Sequence, residues 1–315
     1  MPEEEEKLHE ENQGAETQVP QIQENVIMAR KTASGYGIGG AADYFVSVRC
    51  INDIKYALDF AHEKNIPHAI IGNGSNFLIS DKGYRGLIIS TQRMDCVTPL
   101  SKNSMRVEAG VNINSLIREC IQAKLPGLEE LSGIPGTIGG AIVMNAGAYS
   151  QTISDFITQI CIYDYDSGGD LIIPKHKAKF GYRSSVFKEK KCVILWADFE
   201  FNMEIKFGVL LARQSEIIKK RKSKHPTDYN SCGSVFKNPK GQSAWKLIEE
   251  AGLRGFAVGD AQVSEKHANF IVNKGNASAQ DVREVIAKVR KKVEEKFNIL
   301  LEPEVVFLGE FDTQI

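Results

Sequence analysis

The sequence predicts an α+β protein of two or three domains, and three observations carry that expectation. Strand-like and helix-like segments follow one another from about residue 40 onward, with strands grouped in 84–111 and 157–201. The chain has 315 residues, enough for more than one hydrophobic core. Two glycine-rich stretches, around 72–76 and 127–147, lie among Ile, Val, Leu and Met, whereas a flexible linker would be polar.

Taken in order, residues 1–25 hold eight Glu and few large apolar side chains, and read as a disordered acidic extension outside the chemistry. Residues 40–80 read strand–helix–strand. Asn52 can cap a helix to about Asn65 with Ile54, Leu58 and Ala61 on one face, and Pro67 opens the next strand. Short strands fill 84–111. A helix from Asn112 to Lys124 buries Ile113, Leu116, Ile117 and Cys120, and Pro126-Gly127 stops it. Strands follow near 157–165, 170–173 and 192–201, then a domain boundary near 203–206 and a helix over 207–222. A helix over 242–251 ends at Gly252. Ser278 and Asp281 open the last helix with a capping box, and Val282, Val285, Ile286, Val289, Val293 and Phe297 form its apolar stripe. Leu300 to Leu308 reads as a closing strand.

Composition excludes several classes. A net charge of −1 leaves no footprint for nucleic acid. Six scattered Cys form no C-x-x-C pair, so zinc and redox dithiols are not expected, and the thiols suit a reducing compartment. No apolar run reaches membrane-spanning length and no signal pattern opens the chain, so a cytoplasmic protein without membrane insertion is expected. No His pattern supports a metal.

The loop Gly72-Asn73-Gly74-Ser75-Asn76 lies between two apolar runs, and the longer loop carries Gly133, Ile134, Pro135, Gly136, Thr137, Gly139, Gly140, Ala141, Asn145 and Gly147. Successive N–H groups in such backbone can cradle a phosphate or pyrophosphate; tightly packed turns, or a hairpin at 72–76, are the alternatives. Neither loop is a Rossmann fingerprint or a P-loop.

Three places join reactive side chains to unusual local sequence. Arg183, in Gly181-Tyr182-Arg183-Ser184-Ser185, suits a carboxylate clamp or a surface ion pair. Ser234, in Cys232-Gly233-Ser234-Val235-Phe236-Lys237-Asn238-Pro239, suits a proton donor or a turn serine bonding its own backbone, and Cys232 an inert thiol. Glu302 and Glu304 flank Pro303 in an apolar strand where a carboxylate is costly unless paired. Strand parity does not choose between them. Lys219-Lys220-Arg221-Lys222 reads as a solvated helix end or a phosphate contact, and His267 as structural or exposed.

Together these segments resemble the UDP-N-acetylenolpyruvoylglucosamine reductases. The resemblance runs through Gly37-Ile38-Gly39-Gly40-Ala41-Ala42-Asp43, Gly72 to Asn76, Ser132 to Ala141, Asn145 to Tyr149, Tyr182-Arg183, Gly233 to Pro239 and Leu301 to Val305. They occur in the family's order over roughly 27–309. The resemblance implies an FAD-binding fold of the vanillyl-alcohol oxidase type with two α+β subdomains, followed by a C-terminal α+β substrate-binding domain. Its divisions would be 1–25, 26–205 with a split near 85–90, and 206–315.

It further implies that FAD lies along both loops and near Gly39 and Gly40. NADPH gives a hydride to the flavin, which then reduces the enolpyruvyl ether of UDP-N-acetylglucosamine to UDP-N-acetylmuramate for peptidoglycan synthesis. Negative charge built up next to the substrate carboxylate calls for a cation or a donor there. Arg183 matches the family's arginine in that role, Glu304 its assisting glutamate, and Ser234 the serine that protonates the carbanion. Lys237, Asn238 and His267 match positions used for the sugar nucleotide, with Lys222 a looser phosphate candidate. The chain departs from the family pattern in having Gly37 for the frequent Arg and Asn73 for the middle Gly, and it has no tyrosine-bearing loop before Ser234. A monomer of the shorter subclass is expected.

Overall fold

The computed structural model describes residues 19–27, 35–202 and 204–312. Its first sheet has the order β1-β2-β5-β3, built from β1 (Gln23–Ile27), β2 (Ala41–Ser47), β3 (His68–Ile71) and β5 (Tyr84–Ser90). β1 is antiparallel to β2, and β5 runs parallel to both β2 and β3. Helix α1 (Ile51–Glu63) links β2 to β3 and buries Ile54, Ala57 and Ala61, completing the expected strand–helix–strand. Its cap residue is Cys50, not Asn52, and it makes no side-chain cap bond. The acidic extension is shorter than expected, because Gln23 and Glu24 pair with Phe45 and Tyr44; residues 1–18 lie outside the described residues.

Strand β4 (Phe77–Ile79) follows β3 closely but joins another sheet. It pairs in parallel with β16 (Val306–Leu308), so the 72–76 loop is not a hairpin turn. The loop hands the chain from one sheet to the other and leaves the N–H groups of 73–76 unpaired by either.

The second sheet has the order β11-β10-β12-β7-β6 and is wholly antiparallel. Its strands are β6 (Val97–Ser101), β7 (Ser104–Glu108), β10 (Ile157–Asp164), β11 (Gly169–Pro174) and β12 (Cys192–Glu200). The split between the two sheets therefore falls after Ser90, since 85–90 lies inside β5. Helix α2 (Ile113–Gln122) covers the second sheet with Ile113, Leu116, Ile117, Cys120 and Ile121, and the side chain of Asn112 caps it by accepting from Asn114 N–H at 2.9 Å. Burying such side chains is worth about 1.5–3 kcal/mol each, which makes this stripe the force that seats the helix. The long glycine-rich stretch is not all loop: it contains α3 (Ile138–Met144), followed by the two-residue strands β8 (Gly147–Ala148) and β9 (Gln151–Thr152).

Helix α4 (Phe207–Lys224) starts at the expected domain boundary, yet Leu210 packs in the core of the second sheet with Leu128, Leu131 and Phe201. Beyond it, α5 (Ala244–Glu250), α6 (Ala279–Phe297) and a small sheet of β13 (Ala257–Val258), β14 (Ala261–Val263) and β15 (Ile271–Asn273) share one core. The capping box of α6 forms as predicted. Asp81, from the first part of the chain, also accepts from the N–H groups of Ala279 and Gln280 at 2.8 and 2.9 Å, fastening this helix to the β4 region. Of the predicted closing strand only Val306–Leu308 is regular. No helix of the described residues is long and apolar enough to cross a membrane.

Candidate active site

The two glycine-rich segments meet. Ser75 Oγ donates to Pro135 C=O at 3.1 Å, and a Cβ added at Gly72 would collide with Thr137 Oγ1. The longer segment is pinned from behind: Gly139 N–H donates to Ala109 C=O at 2.8 Å, Ile138 N–H to Val111 C=O at 2.9 Å, and Asn114 holds Gly133 and Ile134. The N–H groups of Asn73, Gly74, Ser75 and Asn76 donate to no described residue. Thr137 Oγ1 is buried without a hydrogen-bond partner among the described residues. Unpaired donors around a space that a Cβ would fill suit phosphate oxygens. A cleft of about 300 Å³ runs on from this point between Asn73, Gln92, Asp95, Asn112, Ser115 and Thr137. The residues present therefore fit an elongated diphosphate cofactor.

Not every glycine serves that purpose. Gly139 is small because of the strand behind it, where a Cβ would sit 3.0 Å from Ala109 Cβ and 3.2 Å from its carbonyl oxygen. Gly140 is exposed, and the nearest atom to a Cβ there is Thr137 Oγ1 at 3.9 Å. Gly39 and Gly40 lie against Ile79 and Asp81. Gly37 has φ +66°, and Asn230 Nδ2 occupies the space where a Cβ would point.

Beside the cradle, Arg183 and Glu304 form an ion pair, Nε to Oε1 at 2.9 Å, with side chains 23% and 15% exposed. Arg183 has φ +51° in a tight Gly181–Ser184 turn. That turn is tied to α3 from two sides: Asn145 Nδ2 donates to Gly181 C=O at 2.9 Å, and Ser185 Oγ donates to Val143 C=O at 2.7 Å. The contact is close but not aligned as a hydrogen bond, since the Arg183 Nε–H is buried without an acceptor. Burial raises the Glu304 carboxyl above the usual carboxylate range, partly offset by the charge of Arg183. Glu302 is the other kind of carboxylate, 68% exposed and paired with Lys237.

Glu304 N–H donates to Val235 C=O at 2.7 Å, which brings the segment of Ser234 alongside that of Glu304. Ser234 is half-buried and bridges Phe270, and its hydroxyl makes no hydrogen bond among the described residues. Cys232 is buried, donates to Phe77 C=O at 3.3 Å, and has its thiol pushed up by burial, as an inert cysteine should.

Asn238 Oδ1 caps α5 by accepting from Ala244 N–H at 3.0 Å. His267 packs among His225, Trp245 and Phe270, and its Nδ1 accepts from Asn269 N–H at 3.3 Å. Lys222 is exposed, and its carbonyl accepts from Lys266. The basic residue of the 219–222 run that turns inward is Arg221, not Lys222. Its Nε is buried without a partner, and a Cβ on Gly133 would sit 3.0 Å from its Cδ. Burial lowers its pKa and Arg183 does so further, with Tyr149 opposing. The signal was present: Ile217 is buried on α4, and residue 221 is one turn further along the same face.

A split β-sheet scaffold, a cradle between its halves that fits a diphosphate and a third unit delivering a carboxylate to a guanidinium define a three-unit protein built around a diphosphate-bearing cofactor. Residues 42–168 match the FAD binding domain family. Residues 225–308 match the C-terminal domain of UDP-N-acetylenolpyruvoylglucosamine reductase. The reductase of that name from Caldicellulosiruptor bescii is 41% identical over 90% of this chain and 90% of its own. The one from Clostridium novyi is 38% identical over 92% and 93%. The crystal structure of UDP-N-acetylenolpyruvylglucosamine reductase from Thermus caldophilus superposes with a TM-score of 0.77 at 31% identity, covering 92% of this chain and all of that one. The chain belongs to the UDP-N-acetylenolpyruvoylglucosamine reductase family, and its fold is an FAD-binding domain followed by the family's C-terminal domain.

Proposed function

We propose that this protein reduces the enolpyruvyl ether of UDP-N-acetylglucosamine to UDP-N-acetylmuramate, a step of peptidoglycan precursor synthesis, with NADPH as electron source, as a cytoplasmic monomer. The observation that carries the reading is the Arg183–Glu304 pair, held at 2.9 Å where the flavin cradle, the α3 turn and the Ser234 strand converge. The unpaired N–H groups of 73–76, with Thr137, would hold the diphosphate of FAD. Held there, FAD would supply the hydride chemistry that links NADPH to the terminal vinyl carbon of the sugar nucleotide.

The rest falls to this chain. Arg183 receives the substrate carboxylate bidentately and stabilises the enolate charge that grows on it. Glu304, whose carboxyl pKa is raised by burial and opposed by the charge of Arg183, lies where it assists polarisation of the same carboxylate. Ser234 Oγ supplies the proton to the ether carbon and recovers one from solvent. In sum, one hydride and one proton add across the C=C bond, and NADPH becomes NADP. Arg221 and Lys237 add positive charge for the diphosphate of the sugar nucleotide.

Purified protein should be yellow and should consume NADPH only when the enolpyruvyl sugar nucleotide is added. A colourless protein, or NADPH consumption indifferent to that substrate, would sink the reading. Light scattering tests the monomer.

A further inference from the structure

The flavin loop ends on Asn76, and its side chain does not face the cradle. Asn76 Nδ2 donates to the carbonyl of Glu304 at 3.0 Å. The carbonyl of Asn76 accepts from Val306 N–H at 2.9 Å. One residue therefore satisfies the main chain of both 304 and 306, at the start of the parallel pairing between Phe77 and Val306. The other edge of Glu304 is held by Val235, next to Ser234. Pro303 precedes Glu304, so regular strand pairing cannot extend through residue 303 on its N–H side.

We infer that Asn76 is a positioning residue for Glu304: its amide couples the cofactor loop to the carboxylate that meets the substrate. The inference rests on the role proposed above for Glu304. The N–H groups of 73–76 are left to meet a phosphate, while the side chain at the end of the loop reaches the main chain of Glu304. Filling the cradle thus fixes Asn76, and Asn76 fixes the peptide plane on which the Glu304 side chain is mounted. The arrangement ties substrate-side geometry to an ordered cofactor loop. An offset on the order of 1 Å at a reacting group costs about 10²-fold in rate.

The test is Asn76→Asp, which keeps the shape and loses the donor, with Asn76→Ala as a second variant. Bound flavin is measured by absorbance of the folded protein. Reduction of flavin by NADPH and its reoxidation by the enolpyruvyl substrate are followed separately in stopped flow. We expect the folded variants to retain flavin and reoxidation to slow about 10- to 10²-fold, with reduction slowed far less. In a Glu304→Gln background the same substitutions should change reoxidation by less than about twofold, because the group they position is already altered. Loss of flavin from folded Asn76→Asp, unchanged reoxidation, or full additivity with Glu304→Gln would each overturn the role of Asn76. A wild-type protein unable to use the enolpyruvyl substrate would instead refute the function itself, so the two failures are distinct.

Discussion

Arg183 and Glu304 hold each other 2.9 Å apart in a setting that gives the arginine a backbone φ of +51° and the glutamate a raised pKa. Neither condition favours folding. A half-buried charge pair roughly breaks even against desolvation, and a non-glycine residue in the left-handed region costs further energy. Such a pair suits a site where an incoming carboxylate replaces one partner of the other.

Arg183→Lys keeps the charge and loses the planar fork. It should lower kcat/KM for the sugar nucleotide by about 10²-fold, and Arg183→Ala by about 10³-fold, with KM raised in both because the carboxylate is present before reaction. Steady-state kinetics at saturating NADPH checks this, and a change confined to the KM for NADPH would contradict it.

Ser234→Ala should leave flavin reduction by NADPH near the wild-type rate and slow reoxidation by at least ~10²-fold, since the proton is needed only after hydride has moved. Stopped-flow absorbance separates the two. The reverse pattern would make Ser234 a nicotinamide contact.

Gly139 and Gly140 should respond differently. A Cβ at Gly139 presses on Ala109 at 3.0 Å, so Gly139→Val should lose stability by about 1–3 kcal/mol. A Cβ at Gly140 meets nothing nearer than 3.9 Å, so Gly140→Val should fold normally yet bind less flavin. Thermal unfolding and the flavin-to-protein absorbance ratio distinguish these. Stoichiometric flavin in folded Gly140→Val would move the cofactor away from this turn.

Arg221→Ala should raise the KM for the sugar nucleotide at least ~10-fold, whereas Lys222→Ala should stay within about twofold, because only Arg221 points inward as an unpaired, half-buried cation. Equal effects would return the basic run to a solvated helix end.

The His225 ring is pushed down to about 4 from an ordinary 6.5, first by burial and then by the charges of His267 and Arg221. The folded state thus keeps it neutral where the unfolded chain would protonate it. Its contribution to stability is complete above pH 6.5 and is lost as pH falls toward 4. Urea unfolding midpoints should drop between pH about 7 and about 5, and His225→Phe should show a shallower drop. An unchanged slope would mean that the ring is solvated.

The helices were legible because each carries its own instructions. Asn112 with the stripe Ile113, Leu116, Ile117 and Cys120, and Ser278 with Asp281, specify their ends and buried faces within a few turns. The glycine-rich stretches announced unusual backbone in the same local way, although α3 inside one of them did not, because glycine masks a seven-residue helix.

By itself the sequence determined the order of the long elements, the amphipathic faces, the family to which the motifs belong and the residue types available for reduction of a carboxylate-bearing alkene. Only the tertiary structure decided which of those residues act together. Glu302 is exposed and paired with Lys237, whereas Glu304 is mostly buried because the Arg183 turn, anchored on α3, lies against it. The inward course of Arg221, the separation of β3 and β4 into different sheets and the reach of Asn76 to Glu304 were settled in the same manner. Periodicity and capping are interactions over three or four residues and are written in the local sequence. A contact between segments hundreds of residues apart depends on how whole sheets pack, and no local pattern encodes it.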